Sequence, residues 1–138
     1  MINLICTIAL MLIFSVISGI HFYWVFGGKW GGEAAIPQNK EGKKVLNPKK
    51  IDTVVVALIF LFIAFFYFDQ LSTNFFIHSK ISILKWIFPI LFILRAIGEF
   101  HYVGFFKRVK GTKFAYYDTV FYSPLCLVIV LLMAVAAR

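Results

Sequence analysis

The stretch Ile51-Asp52-Thr53-Val54-Val55-Val56-Ala57-Leu58-Ile59-Phe60-Leu61-Phe62-Ile63-Ala64-Phe65-Phe66-Tyr67-Phe68 decides the fold. Beyond Asp52 it carries no charge and no helix breaker. A hydrocarbon core of about 30 Å is crossed by about 20 helical residues, so the run reads as a membrane-spanning helix. Three further apolar runs, at residues 2–26, 81–100 and 119–137, read the same way. In lipid the backbone must satisfy its own polar groups, which leaves helices as the form such runs adopt. The expected architecture is all-α, a four-transmembrane-helix bundle forming one integral membrane domain over residues 1–138. Its helices are expected at about 2–26, 48–68, 81–103 and 118–137.

Composition agrees. The chain is 62% hydrophobic and 14% charged, with a mean hydropathy of +0.90. Soluble domains sit near 45–50% apolar and about 25% charged. The 17 phenylalanines suit lipid-facing and interhelical surface.

The formal charge of +8 is placed unevenly. Lys29, Lys40, Lys43, Lys44, Lys49 and Lys50 lie between the first and second runs, and Lys107, Arg108, Lys110 and Lys113 between the third and fourth. The remaining connection and the C-terminal end hold only Lys80, Lys85 and Arg138. Short Lys- and Arg-rich loops stay on the cytoplasmic side, which predicts a multi-pass membrane protein with both termini outside. Anionic headgroups account for the basic excess, so membrane lipid is the expected partner and nucleic acid is not. The first run lacks a basic segment before it and a small-residue cleavage site, and reads as a retained helix rather than a cleaved signal.

Local signals divide the chain further. Gly27, Gly28, Gly31 and Gly32 follow the first run and read as a helix stop rather than a phosphate cradle, since no strand precedes them. Trp24 and Trp30 suit an interfacial aromatic belt. Residues 33–44 read as a polar, mobile connection. Asn47 and Pro48 read as the N-cap and first residue of the second helix. Pro89 is a candidate kink in the third. In the fourth, Tyr122-Ser123-Pro124 fits either a continuous helix kinked at Pro124 or a shorter helix capped by Ser123; the continuous form spans the bilayer, the short one does not. Cys6 and Cys126, at depths about 10 Å apart on this topology, are too far apart for a disulfide.

Ionisable residues inside apolar runs are costly, about 2.5–3.5 kcal/mol for a central guanidinium, so they are the chief functional signal. His21, Asp52, Arg95, Glu99, Asp118 and Tyr122 all fall near one end of the bundle. Arg95 and Glu99 are four residues apart, as are Asp118 and Tyr122, which places each pair on one helical face. Arg95 is expected to meet Glu99 or Asp118. Two readings follow: a buried network that joins helices, or a cytoplasm-facing pocket in which Arg95 meets an anion and His21 handles a proton. His78 and His101 read as interfacial. The three histidines do not make a metal site, and no cofactor motif is present.

Three motifs resemble those of a bacterial four-helix membrane family of unknown function, the domain of unknown function 3995. They are His21-Phe22-Tyr23-Trp24-x-Phe26-Gly27-Gly28-x-Trp30-Gly31, then Arg95-Ala96-Ile97-Gly98-Glu99-Phe100-x-Tyr102-Val103-Gly104-Phe105-Phe106-Lys107-Arg108, and Asp118-Thr119-x-x-Tyr122-Ser123-Pro124-Leu125-Cys126-Leu127. Glu99 stands where the pattern suggests Asp. The resemblance implies the fold and topology and brings no activity with it. The expected ligand-binding residues are His21, Tyr23, Arg95, Glu99, Asp118 and Tyr122, with a small anionic or lipid ligand. A membrane enzyme on a lipid or isoprenoid, and a transporter formed by a homo-oligomer, are the competing functions.

Overall fold

The computed structural model describes residues 1–71 and 82–137, and within them the protein is all-helical with no strands. The elements are α1 (Ile2–Val25), a short α2 (Gly32–Ala35), α3 (Lys50–Leu71), α4 (Leu84–Ile97), α5 (Lys113–Tyr117) and α6 (Ser123–Ala136). A π-helical turn, Asp118–Tyr122, joins α5 to α6 without a break. Three helical stretches are long and apolar enough to cross a membrane: Ile2–Val25, Lys50–Leu71 and the joined Lys113–Ala136. At about 1.5 Å per residue, the 14-residue α4 is about 21 Å long, shorter than a bilayer core. His78 and Lys80 lie outside the described residues.

Each boundary has a local cause. α1 ends where Gly27 takes φ +93°, with Gly27 N–H bonded to Trp24 O (3.1 Å) and Gly28 N–H to Tyr23 O (2.9 Å). This is a Schellman stop, and it explains the glycines that follow the first run. α3 begins at Lys50, two residues after Pro48. Its entrance is fixed not by Asn47 but by Asp52, whose Oδ2 accepts from Lys49 N–H at 2.8 Å, one half of a capping box. The 33–44 connection is folded: α2 opens it, and Gln38 and Lys44 form an antiparallel bridge over a turn held by Asn39 Oδ1 and Lys43 N–H (2.8 Å).

α4 stops at Ile97 rather than continuing to residue 103, because Gly98 adopts φ +81°, ψ −174°, a conformation open essentially to glycine alone. The final helical stretch starts earlier than residue 118. Thr112 caps it by accepting from Ala115 N–H (3.1 Å), so it runs continuously past Pro124. Its π turn places the Ser123 N–H on Asp118 O, one residue further back than an α-helix would, immediately before the proline whose ring would crowd the preceding turn.

α1 packs along α3 and α6, and α4 along α6. The core centres on Phe14, fully buried among Phe60, Tyr67 and Phe92 with ring centroids 5.5–6.2 Å away. Leu10 and Phe14 of α1, Ile63 and Tyr67 of α3, and Ile129 and Met133 of α6 contribute at one-turn spacing. Ser18 Oγ donates to Ala57 O at 2.8 Å in the buried α1–α3 seam. Large side chains such as Leu12, Val16, Phe62, Phe65, Leu127 and Leu131 remain exposed on the outward faces, as lipid contact requires and water does not favour.

Candidate functional site

Asp118 is completely buried at the start of the π turn and saturated by donors. Arg95 Nη2 donates to its Oδ1 at 2.8 Å, and Ser123 Oγ approaches the same oxygen at 3.4 Å. Gly104 N–H donates to Oδ2 at 2.8 Å, and Lys107 Nζ donates to it at 3.0 Å. A carboxylate has about four acceptor positions, and all are occupied here.

Lys107 is as buried as its partner, with its side chain 2% exposed. Its ammonium group has three N–H bonds, and each meets an acceptor: Asp118 Oδ2, Gly104 O (2.9 Å) and Thr119 Oγ1 (2.6 Å). Thr119 Oγ1 in turn donates to Ala115 O at 3.1 Å. Two cations on one carboxylate leave the centre with one surplus positive charge. The spare capacity resides on Arg95, whose Nη1 is buried and has no hydrogen-bond partner among the described residues.

Backbone geometry brings Lys107 into this centre. After α4 the chain folds back, and Phe105 N–H bonds to Ala96 O at 2.9 Å. Gly98 and Gly104 meet across this fold: a Cβ on Gly98 would run into the Val103 carbonyl, and one on Gly104 into the Ile97 carbonyl. Gly104 has φ +89°. The absence of two methyl groups therefore sets the position of Gly104 N–H and Gly104 O, both of which belong to the Asp118 network.

The six expected site residues divide between places. Arg95 and Asp118 meet: the carboxylate is fully buried, and the arginine side chain is 34% exposed with only its Nη1 out of solvent. Glu99 does not share a helical face with Arg95, because Gly98 ends the helix between them; its Oε1 accepts from Tyr102 N–H at 3.0 Å in an exposed loop. Tyr122 is half-buried beside Phe114 and Phe121. The π turn adds one residue to the circuit, so Ser123, rather than Tyr122, comes under Asp118. Tyr23 lies over Gly28, whose missing side chain makes room for the ring.

His21 stands elsewhere. Its Nδ1 donates to Ile17 O at 2.8 Å, and its ring packs on Trp24 and Phe60 with centroids 5.0 and 5.3 Å away. It lines a half-open cleft of about 590 Å³ between the end of α1, the 28–48 connection and the start of α3. None of Tyr23, Arg95, Glu99, Asp118 or Tyr122 lines that cleft. In place of one pocket at matching depth, the structure has a compact charged centre and a separate cleft. Equal depth does not fix the rotation of a helix. Among the described residues no three His, Cys, Asp or Glu side chains group closely enough to hold a metal ion.

Lys107, Gly104, Thr119 and Ser123 stand within the quoted motifs but are not among the expected ligand-binding residues. Lys107 was counted among the loop charges that set topology. The signal that could have found it is its setting: Val103, Phe105, Phe106 and Val109 surround it with apolar residues.

A family model described as "Protein of unknown function (DUF3995)" matches residues 14–133. No curated protein and no solved structure matches the chain.

Proposed function

The chain belongs to the DUF3995 family, whose activity is unassigned, and from that premise we propose that it is a four-span membrane protein that binds an anionic group at the Arg95–Asp118–Lys107 centre. The run at 81–100 supplies the fourth crossing, of which the 14-residue α4 covers about 21 Å before the 98–104 segment turns back at its end. Glu99, Phe100 and His101 are exposed, which suits a turn at the membrane interface, where water satisfies irregular backbone. The basic connections face the cytoplasm and both termini face outward in a bacterial inner membrane. One integral domain spans residues 1–138.

One observation carries the binding reading: Arg95 Nη1 is buried without a partner beside a centre of surplus positive charge. A buried donor left unmade costs about 1–3 kcal/mol, more when it is charged, and an incoming phosphate or carboxylate oxygen would recover that cost. Lys107 has no donor to spare and Asp118 no free acceptor site. Their part is to hold the guanidinium still, and Arg95, whose side chain is 34% exposed, is the one member of the centre that a ligand can approach. The saturation of Asp118 also weighs against its use as an acid or base in an enzyme.

The test is to purify the full-length protein in mild detergent and count retained anionic phospholipid by native mass spectrometry. Arg95→Lys keeps the charge and gives up the planar fork, and is expected to lose one retained anion while the protein melts within a few degrees of wild type. Unchanged retention would reject the binding role. The centre would then serve only to clamp the 98–112 loop onto α6, a role favoured by the Gly104 N–H bond to Asp118.

A further inference from the structure

The cleft beside His21 shares no lining residue with the Arg95 centre, and its electrostatics are unbalanced. Three exposed lysines, Lys29, Lys44 and Lys50, contribute to its lining. Among the described residues none of them has a hydrogen bond or an ion pair. The two carboxylates that also line the cleft each have a partner outside it. Asp52 accepts from the Lys49 backbone (2.8 Å), and Glu33 pairs with Lys113 (3.4 Å), a residue outside the cleft. The cleft thus carries three lysines against two carboxylates, one of which already faces a lysine outside it.

The rest of the lining adds two features. Trp24, Ile36 and Val56 give an apolar wall. The Trp24 indole is locked, because its Nε1–H donates to Trp30 O at 2.8 Å. His21 presents a fixed face as well. A backbone carbonyl only accepts, so the Nδ1 bonded to Ile17 O carries the proton and Nε2 is the free ring atom. Lysines suit phosphate as point charges, and a volume near 590 Å³ is of the size that holds a small ligand.

We infer that the α1–α3 cleft is a binding site for a phosphate-bearing anion with an apolar body, its head among Lys29, Lys44 and Lys50 and its apolar part against Trp24 and Val56. Such a head could be an anionic phospholipid headgroup entering from the bilayer or a phosphorylated solute arriving from water. The chemistry of recognition is the same for both.

The experiment uses full-length protein in nanodiscs, with binding read by quenching of Trp24 in a Trp30→Phe, Trp86→Phe background. In one arm, phosphatidylcholine discs receive increasing fractions of brominated phosphatidylglycerol. In the other, pure phosphatidylcholine discs receive inorganic pyrophosphate or geranyl phosphate, and Trp24 emission is followed directly. Saturable binding in the first arm assigns the head to a lipid, and in the second to a solute; binding in neither overturns the proposal. Lys29→Gln, Lys44→Gln and Lys50→Gln are each expected to weaken binding about fivefold, as loss of about 1 kcal/mol per basic contact implies. Removing Lys40, Lys43 and Arg108, which lie outside the cleft, should leave it within about twofold. An equal loss in that control would reduce the effect to general surface attraction and reject the site. Ala35→Phe, which narrows the cleft without altering charge, should abolish binding; retained affinity in that variant would likewise reject it. Because Arg95 is intact throughout, failure here leaves the Arg95 reading standing, and failure of Arg95→Lys leaves this one.

Discussion

At Asp118 one carboxylate holds two cations and a backbone amide, and its removal is more disruptive than that of any surface charge. Asp118→Asn keeps the shape and some hydrogen bonding but leaves the buried Lys107 without a counter-ion, and the partly exposed Arg95 without its partner. Breaking a buried pair in this way costs about 3–5 kcal/mol, so the variant is expected to melt far below wild type in thermal unfolding followed by circular dichroism. Lys107→Met should be milder, because it removes the surplus charge together with its desolvation. Gly98→Ala tests the fold-back at the same scale. Its φ of +81° and the Val103 carbonyl leave no place for a methyl group. A cost of at least about 1–3 kcal/mol is expected, with faster amide exchange at Gly104 and Phe105 as the local sign. If Gly98→Ala exchanges like wild type, the close approach of Gly98 to Gly104 is not a constraint on the fold.

At the scale of elements, helix ends decide what the sequence periodicity could not. Spacings of four residues made Arg95 and Glu99, and Asp118 and Tyr122, neighbours on continuous helices. A glycine between the first pair and a π turn between the second undid both. Thr112 shows the converse, a single hydroxyl that begins the last helical stretch well before its apolar run. Thr112→Ala is expected to cost about 1 kcal/mol and to raise hydrogen exchange at Ala115, whose N–H it accepts. Because Ala115 O also receives the Thr119 hydroxyl that supports Lys107, the same variant should loosen the charged centre slightly. Unaltered exchange at Ala115 would show that the cap contributes nothing.

At the scale of the whole molecule, the proposed topology is open to direct labelling. With Cys6 and Cys126 replaced by Ala, Lys43→Cys is expected to resist a membrane-impermeant maleimide in intact cells and to react after lysis. A Cys at Met1 is expected to react in intact cells. Labelling of Lys43→Cys before lysis would invert the bundle. The asymmetry behind this expectation is a count of lysines and arginines in the connections, and burial of Lys107 removes one of them without changing its sign.

The sequence by itself determined that the chain is helical, with stretches long and apolar enough to cross a membrane, where α1 stops, and that Arg95 would need a carboxylate. Those conclusions follow from local quantities: the length of apolar runs, the turn preference of glycine and the cost of a charge in hydrocarbon. Only the tertiary structure decided which carboxylate it is, that Lys107 is buried with it, and that His21 belongs to a different cleft. Each of these depends on the rotation of a helix about its axis and on how closely two backbones approach. Both are set by contacts between distant parts of the chain: Gly98 against Gly104, and α1 along α3. A charged residue in a loop has the same sequence signature whether its ammonium meets water or three acceptors. Packing alone distinguishes the two.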